Sequence, residues 1–318
     1  MTAITRIPYD EFGMFADNAR EFGIAYPGPP VVRRTSVPLG DGRQLSALVW
    51  GDADPEFVFL HGGAQNAHTW DTVALALGRP LVAIDLPGHG HSDQATIGSV
   101  DVKTNAPDIA TVIRALAPNA KAVIGMSLGG MTTLALIDHA PELVRAAVLV
   151  DVTPGVNQTK STAISNFING PDSFPDFDAL LARTIEHNST RTIASLRRGI
   201  LHNALQRDDG SWVWRYARLR AAERAAATAA DGTAGESGHP NFGFLWDVVS
   251  NVKVPLLLVR GMLKQSVVDD DDEAELKRRA PHAQVIQVPN AGHSVQGDTP
   301  VELAAMIAQF AAAADGNG

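Results

Sequence analysis

The 318-residue sequence contains no cysteine. This absence excludes disulfide bonds, thiolate nucleophiles and zinc sites built on cysteine, and it is typical of proteins from a reducing compartment. The first residues, MTAITRIPYDEFGMF, also lack the apolar stretch of a secretory signal peptide and carry acidic residues early. From these two absences we expect a cytoplasmic protein.

Further absences narrow the class of protein. No apolar run approaches the ~18 residues of a transmembrane helix, so no membrane insertion is expected. The net charge is −9 and lysine and arginine form no cluster, so a nucleic-acid partner is not expected either. No internal repeat is visible. With 45% hydrophobic and 19% charged residues, the composition is that of a globular protein with one large domain or a domain with an insertion.

Outside the middle of the chain, short apolar segments alternate with segments of helical spacing. A β-hairpin that turns near Asp41-Gly42 is predicted first. Later strands are predicted at 57–60, 81–85, 121–126, 145–151, 254–261 and 283–288. Helices are predicted at 70–77, 105–116, 128–139, 273–279 and 302–310. This alternation indicates an α/β fold, with a mostly parallel central sheet flanked by helices.

The segment between Asp151 and Val254 breaks the alternation. It holds the helical patterns FDALLARTIEHN and TRTIASLRRGILHNAL, then SWVWRY, an alanine-rich stretch and the loop-like DGTAGESGHP. About a hundred residues are too many for one connection of a compact sheet. We therefore predict a core over 31–151 and 250–318, and a mostly helical cap over 152–249. Residues 1–30 form a helical extension and linker, which could cover the cap or a partner subunit of a homo-oligomer.

The segment VIGMSLGG (123–130) places a serine between glycines, directly after a predicted strand and directly before a predicted helix. Residues Gly125 to Gly129 fit the pattern G-x-S-x-G. In that context the serine adopts a strained conformation that leaves its hydroxyl at the carboxyl end of the sheet. The glycines are required because neighbouring backbone passes close to them. We therefore predict that Ser127 is a catalytic nucleophile.

A second segment, FVFLHGGAQNAHTW, predicts donors for an oxyanion. His61-Gly62-Gly63 follows a predicted strand directly, and its glycines allow the loop to turn N–H groups inward. We predict that the N–H groups of Gly63 and Leu128 are the two donors, with Gly62 and Met126 beside the substrate. His61 is expected to be structural, because it precedes the donor.

A third segment, VPNAGHSVQGDTP, places His293 on the loop after the last predicted strand. A base that must reach a serine on another loop belongs at this position. We predict that its Nε2 takes the proton of Ser127 and then returns it to the leaving group. His89 and His91, in LPGHGHSD, are expected to be ordinary loop residues.

Four segments together resemble the α/β-hydrolase fold in its form with an inserted cap: LHGG, IDLPGHGHSD, GMSLGG and AGHSVQGDTP. The resemblance covers 31–49, 57–151 and 254–310, and it does not extend to the cap. It implies a serine hydrolase that uses no cofactor and no metal. A serine rather than an aspartate at position 127 disfavours the carboxylate chemistry of haloalkane dehalogenases and epoxide hydrolases.

Three aspartates compete for the role of the acid that orients His293. Members of the resembled fold usually carry it after the seventh main strand, but Lys264 occupies that position in GMLKQ. Some relatives carry the acid at the end of the sixth strand, where Asp151 stands in VLVDVTPG, and we favour this residue. Asp269 or Asp270 is the alternative, although an aspartate there also caps the following helix.

These residues predict an enzyme that hydrolyses a carboxylic ester or lactone of a small, largely apolar molecule through an acyl-enzyme. Two rival reactions would use the same residues: hydrolysis of a C–C bond beside a ketone, as in meta-cleavage-product hydrolases, and perhydrolysis. A rival outside enzymes is a small-molecule receptor, which the intact serine and histidine disfavour.

The cap is expected to set substrate choice through an apolar pocket wall. The candidates for that wall are Trp212, Trp214, Trp246, Phe167, Phe174 and Phe177. The arginines of TRTIASLRRG (190–199) are expected to lie on a solvated helix face rather than to meet a substrate carboxylate.

Overall fold

The computed structural model describes residues 6–94, 101–156, 158–216 and 242–315, and an eight-stranded sheet is its main feature. The strands found in these ranges are β1 (Val32–Pro38), β2 (Gln44–Trp50), β3 (Phe57–Leu60), β4 (Leu81–Ile84), β5 (Ala122–Met126), β6 (Ala147–Val150), β7 (Ala204–Gln206), β8 (Trp212–Trp214), β9 (Leu256–Gly261) and β10 (Gln284–Val288). The large sheet has the order β1-β2-β4-β3-β5-β6-β9-β10. β2 runs antiparallel to β1 and β4, and the other neighbours pair in parallel. The predicted α/β fold with a mostly parallel sheet is confirmed.

Helices flank this sheet on both faces. The α-helices found in the described ranges, of which α5, α6 and α7 lie between β6 and β9 and not on the sheet faces, are α1 (Phe15–Glu21), α2 (Asp71–Leu77), α3 (Val102–Leu116), α4 (Leu128–His139), α5 (Gln158–Ile168), α6 (Phe177–His187), α7 (Ile193–Asn203), α8 (Leu245–Asn251), α9 (Asp270–Arg279), α10 (Val295–Asp298) and α11 (Pro300–Asp315). None of these described helices combines the length and the apolar character needed to cross a membrane.

Strand β3 shows how the two layers of core are built. Phe57 and Phe59 belong to an apolar cluster with α1, α2 and α11, whereas Val58 and Leu60 belong to a second cluster with α3, α4 and α8. Successive side chains of a strand point to opposite faces of its sheet. A strand that is covered on both faces is therefore apolar at every position, as the sequence of β3 is.

Two parts of the chain differ from the sequence-based expectation. In the extension predicted over 1–30, the helical spacing of Tyr9–Gly23 gives only the short helix α1, because Asp10 accepts the N–H groups of Phe12 and Gly13 in a turn that precedes it. The segment between β6 and β9, which we call the insertion, contains α5, α6 and α7, and it ends with α8, which packs on the core. It also contains the antiparallel pair β7-β8, where SWVWRY was expected to lie among helices. The predicted loop DGTAGESGHP and most of the alanine-rich stretch lie outside the described residues.

One edge of the sheet gathers the segments that the sequence singled out. The carboxyl ends of β3, β5, β6, β9 and β10 meet there, since these strands run in parallel. The insertion leaves the sheet at the same edge, because it connects the end of β6 to β9. In open α/β sheets this is the edge at which ligands bind.

Candidate active site

Ser127 stands at the sharp turn between β5 and α4. Its backbone has φ 51° and ψ −117°, a region that a residue with a side chain rarely adopts. A Cβ added to Gly125 would clash with the Gly129 carbonyl, and one added to Gly129 would clash with the Leu60 carbonyl. The prediction that both glycines are needed for close backbone approach is confirmed. The turn projects the serine hydroxyl from the carboxyl end of β5.

Asp151 follows β6 directly and is fully buried. Its Oδ2 accepts a hydrogen bond from His293 Nδ1 at 2.9 Å and another from the Val267 N–H at 3.1 Å. Its Oδ1 accepts from the Gly261 N–H at 2.9 Å and from the Ser266 hydroxyl at 2.6 Å. Four donors converge on this side chain, so it is held as an acceptor in one orientation.

The bond from Nδ1 of His293 to Asp151 leaves the other ring nitrogen, Nε2, as a free acceptor. His293 and Ser127 line the same cavity. Among the described residues the Ser127 hydroxyl makes no hydrogen bond, so it is not engaged elsewhere. Hydrogen bonds between a nucleophile and its base are often long without substrate and shorten in the complex.

The two alternative acids have other partners. Asp269 is the N-cap of α9, where its side chain accepts the Asp272 N–H at 2.9 Å and pairs with Lys160 at 2.7 Å. Asp270 is exposed and pairs with Arg260 at 2.8 Å. Asp151 thus contacts the imidazole of His293, whereas Asp269 and Asp270 lie at the N-terminus of α9.

The loop after β3 offers two backbone donors at the same place. The N–H of Gly62 donates to Gln65 Oε1 at 3.2 Å, and that of Ala64 donates to His89 Nε2 at 3.1 Å. Between them, the Gly63 N–H has no hydrogen-bond partner in the described part of the chain, and neither has the Leu128 N–H at the start of α4. Two unengaged N–H groups are what an oxyanion requires.

Two buried histidines shape this loop. His61 donates from Nδ1 to the Gly62 carbonyl at 2.7 Å and accepts the Leu86 N–H at Nε2 at 2.9 Å. Burial lowers its pKa to about 3, so the ring is neutral, and the predicted structural role is confirmed. His89 was expected to be an ordinary loop residue, but it accepts the Ala64 N–H and holds that residue at φ 60°. In the sequence, only the motif LPGHGHSD pointed to a role for His89.

The insertion also holds the loop, through a residue that the sequence did not reveal. Asn203, at the end of α7, donates from Nδ2 to the Ala64 carbonyl at 2.6 Å. Its Oδ1 accepts from Asn66 Nδ2 at 3.1 Å. An asparagine at the end of an amphipathic helix carries no pattern that distinguishes it from a helix terminus, so only the three-dimensional contact identifies it.

A cavity of about 450 Å³ opens above the serine, between the sheet edge and the insertion. Gly62 and Met126 line it, as predicted for positions beside the substrate. Trp214 also lines it, together with other apolar side chains of the insertion. These are Ala163, Ile164, Phe167, Ile168, Leu196 and Ile200, of which Phe167 was among the predicted wall residues.

The other predicted wall residues lie elsewhere. Trp212 is buried inside the insertion, where its ring packs edge-on against Phe177 at 5.2 Å, and Phe174 belongs to the same cluster. Trp246 lies on α8 beside the core, with the Arg279 guanidinium over its ring at 5.5 Å. The expectation failed for these residues because an aromatic side chain that joins helices has the same sequence pattern as one that lines a pocket.

Comparisons with known proteins agree with this architecture. A model of the alpha/beta hydrolase family matches residues 57–306. Esterase Rv0045c of Mycobacterium tuberculosis is 43% identical over 305 residues, which are 94% of each chain. A crystal structure of that esterase superposes with a TM-score of 0.78 at 41% identity, over 96% of this chain and 99% of that one. The 2-(acetamidomethylene)succinate hydrolase of Mesorhizobium japonicum is 28% identical over 80% of this chain and 87% of its own. The chain therefore belongs to the alpha/beta hydrolase family and is a hydrolase of that fold.

Proposed function

We propose that this enzyme hydrolyses a carboxylic ester or lactone of a small, largely apolar molecule through an acyl-enzyme on Ser127. The observation that carries the proposal is the 2.9 Å bond between Asp151 and His293, on the rim of the cavity that also holds the serine. Similarity to a protein named an esterase supports the same reaction class.

In the proposed first step, Nε2 of His293 removes the Ser127 proton as Oγ attacks the substrate carbonyl carbon. The N–H groups of Gly63 and Leu128 then stabilise the negative oxygen. The imidazolium, stabilised by the Asp151 carboxylate, passes its proton to the leaving alcohol oxygen as the C–O bond breaks. A water molecule activated by the same imidazole releases the acid and restores the serine. These steps need no cofactor.

The size and walls of the cavity support a small substrate. A volume of about 450 Å³ lies within the range of cavities that bind small molecules. We propose that the insertion acts as a cap over 152–249, since Phe167 and Trp214 supply apolar wall from its side. We also propose a cytoplasmic location, on the strength of the cysteine-free composition.

A fluorophosphonate probe tests the nucleophile directly. It should label the wild-type protein and leave Ser127→Ala unlabelled, because the probe reacts with an activated serine. A panel of p-nitrophenyl esters, lactones and vinylogous diketones then tests the bond that is cleaved. Failure to label would favour a receptor over an enzyme, and turnover of the diketones alone would favour C–C bond hydrolysis.

A further inference from the structure

Arg191 lies in the wall of the cavity, contrary to the expectation that the arginines of 190–199 face solvent. Its Nε and Nη2 groups donate to the Ser195 hydroxyl, Nε at 3.1 Å. Its Nη1 packs so closely on Gly297 that a Cβ there would clash with it. Gly297 belongs to α10, which begins two residues after His293. The guanidinium therefore lies beside the loop that carries the proposed base.

The charge of Arg191 has no carboxylate within ion-pair distance among the residues that the structure describes. Two other cations of the same wall do have such partners. Arg198 pairs with Glu21, and Lys160 pairs with Asp272 at 2.7 Å. The guanidinium of Arg191 uses two N–H groups on one hydroxyl and leaves the others unpaired in the described part of the chain.

The surroundings make an unpaired charge costly at this position. Burial lowers the pKa of Arg191, although Asp298 and Glu21 oppose this at longer range. Arg191 is half-buried in the cavity wall, and a cation that is partly removed from water and not paired raises the free energy of the folded state, a cost that a bound anion would reduce.

We propose that Arg191 binds a free carboxylate of the substrate, so that the preferred ester carries a second, ionised carboxyl group. This inference rests on the proposed ester hydrolysis at Ser127. A guanidinium presents its N–H groups in a planar fork that fits the two oxygens of a carboxylate. The apolar part of such a substrate would lie against Phe167 and Ile164 on the insertion.

Asp298 provides the competing explanation for Arg191. It lines the same cavity, and its Oδ2 accepts the Gly292 N–H at 2.8 Å. Its Oδ1 is buried without a hydrogen-bond partner in the described residues. A small movement could join the two side chains in an ion pair with a purely structural role. That role would affect stability and would leave substrate preference unchanged.

Matched esters separate the two roles. On the acyl side, p-nitrophenyl hemiglutarate is compared with p-nitrophenyl pentanoate, and on the alcohol side 4-acetoxybenzoate is compared with its methyl ester. We expect the ratio of kcat/KM for the charged over the neutral ester to fall by roughly 30- to 100-fold in Arg191→Gln, in at least one pair. The pair that responds shows which part of the substrate carries the carboxylate. An unchanged ratio in both pairs would overturn the inference.

Two control variants accompany Arg191→Gln. Arg197→Gln removes a cation from α7, the helix that follows Arg191; its guanidinium lies over the Phe177 ring, 4.7 Å from the ring centroid. We expect it to keep the wild-type ratio in both pairs. Asp298→Asn tests the structural ion pair: if that pair explained Arg191, both Asp298→Asn and Arg191→Gln would lower the melting temperature and leave the ratio alone.

A binding measurement keeps the inference independent of turnover. Calorimetric titration of Ser127→Ala with the same esters should show tighter binding of the charged member, by roughly tenfold or more, and Arg191→Gln in that background should abolish the difference. If the wild type cleaves no ester but this preference is present, the proposed function fails and the carboxylate site stands. If esters are cleaved and no preference appears, the carboxylate site fails alone.

Discussion

The carboxylate of Asp151 is the residue on which the proposed mechanism can be tested most directly. In Asp151→Asn, the amide can donate to Nδ1 of His293, which then holds its proton on Nε2 and cannot accept one from Ser127. We expect kcat for p-nitrophenyl butyrate to fall by ~10²–10⁴ while the protein stays folded. Steady-state kinetics and thermal melting of the same preparation measure both quantities.

Asp269→Asn is the matched control for this variant. Asparagine caps a helix about as well as aspartate, so α9 should keep its N-terminus and the rate should stay within about twofold of wild type. Loss of activity in Asp269→Asn together with full activity in Asp151→Asn would reverse the assignment of the acid.

The same residues show what sequence patterns can and cannot resolve. The strained turn at Ser127 was predictable because it needs glycines at fixed spacing within a few residues. The choice between Asp151 and Asp269 depended on which carboxylate faces His293, and no local spacing encodes that. Asn203 acts on the loop after β3 from a distant part of the chain, and a helix pattern contains no information about such a contact.

At the scale of elements, the strand-to-helix turn around Ser127 should tolerate no side chain at its glycines. Gly125→Ala places a methyl group against the Gly129 carbonyl, which is backbone and cannot move aside. We expect a loss of about 3 kcal/mol or more in the free energy of unfolding.

Gly199→Ala is the opposite case, because Gly199 lies inside α7 with open space where a Cβ would be added. It should gain about 0.5–1 kcal/mol in the same urea titration.

The contact between α7 and the loop after β3 predicts a catalytic role for the insertion. Asn203→Ala removes the donor to the Ala64 carbonyl, so the Gly63 N–H is held less firmly in the direction of the proposed oxyanion. We expect kcat to fall roughly tenfold with little change in KM, less than the ~10²–10³ for loss of an oxyanion donor itself. Asn251→Ala, which removes a hydrogen bond at the exposed C-terminal end of α8, should retain the wild-type kcat. Equal kcat in both variants would show that the contact does not support catalysis.

The strands and helices of the core, which alternate along the chain, were predictable from the sequence. The elements of the insertion were less predictable. Strands buried on both faces, such as β3, are continuous apolar runs, and their boundaries follow from that. The pair β7-β8 consists of strands of only three residues, too short for period-two alternation to stand out from a helical pattern. The turn at Asp10 was missed because the apolar spacing continues across it.

At the scale of the whole molecule, the N-terminal segment connects the core to the insertion. On the insertion side, the Tyr9 hydroxyl contacts His202 Nδ1 at 2.9 Å. On the core side, Glu11 pairs with Arg34 at 2.5 Å and contacts Nε2 of His68 at 3.1 Å. The N-terminal segment, the core and the insertion thus each contribute polar groups to one cluster. The titration of these groups should therefore affect the stability of the entire fold.

His68 is the group of this cluster whose loss of a proton affects the stability of the fold above pH 6.5. Burial alone would lower its pKa, but the carboxylates of Asp71, at 2.8 Å, and Glu11 raise it to about 9, even though Arg34 opposes them. The ordinary pKa of a histidine in an unfolded chain is about 6.5. The protonated imidazole therefore contributes its full stabilisation below pH 6.5, and this contribution is lost as the pH rises towards 9. The buried histidine that stacks on it, His202, has a lowered pKa, so its effect falls below this window.

We therefore expect the free energy of unfolding of the wild type to decline between pH 6.5 and 9, by an amount on the order of 3 kcal/mol at most. His68→Gln should lower stability at pH 6.5 and show a flatter dependence on pH, because the group that releases its proton is gone. His139→Gln, at an exposed position near the end of α4, should keep the wild-type slope. Urea titrations at five pH values give all three slopes, and equal slopes for wild type and His68→Gln would mean that this imidazole is not protonated in the folded protein at neutral pH.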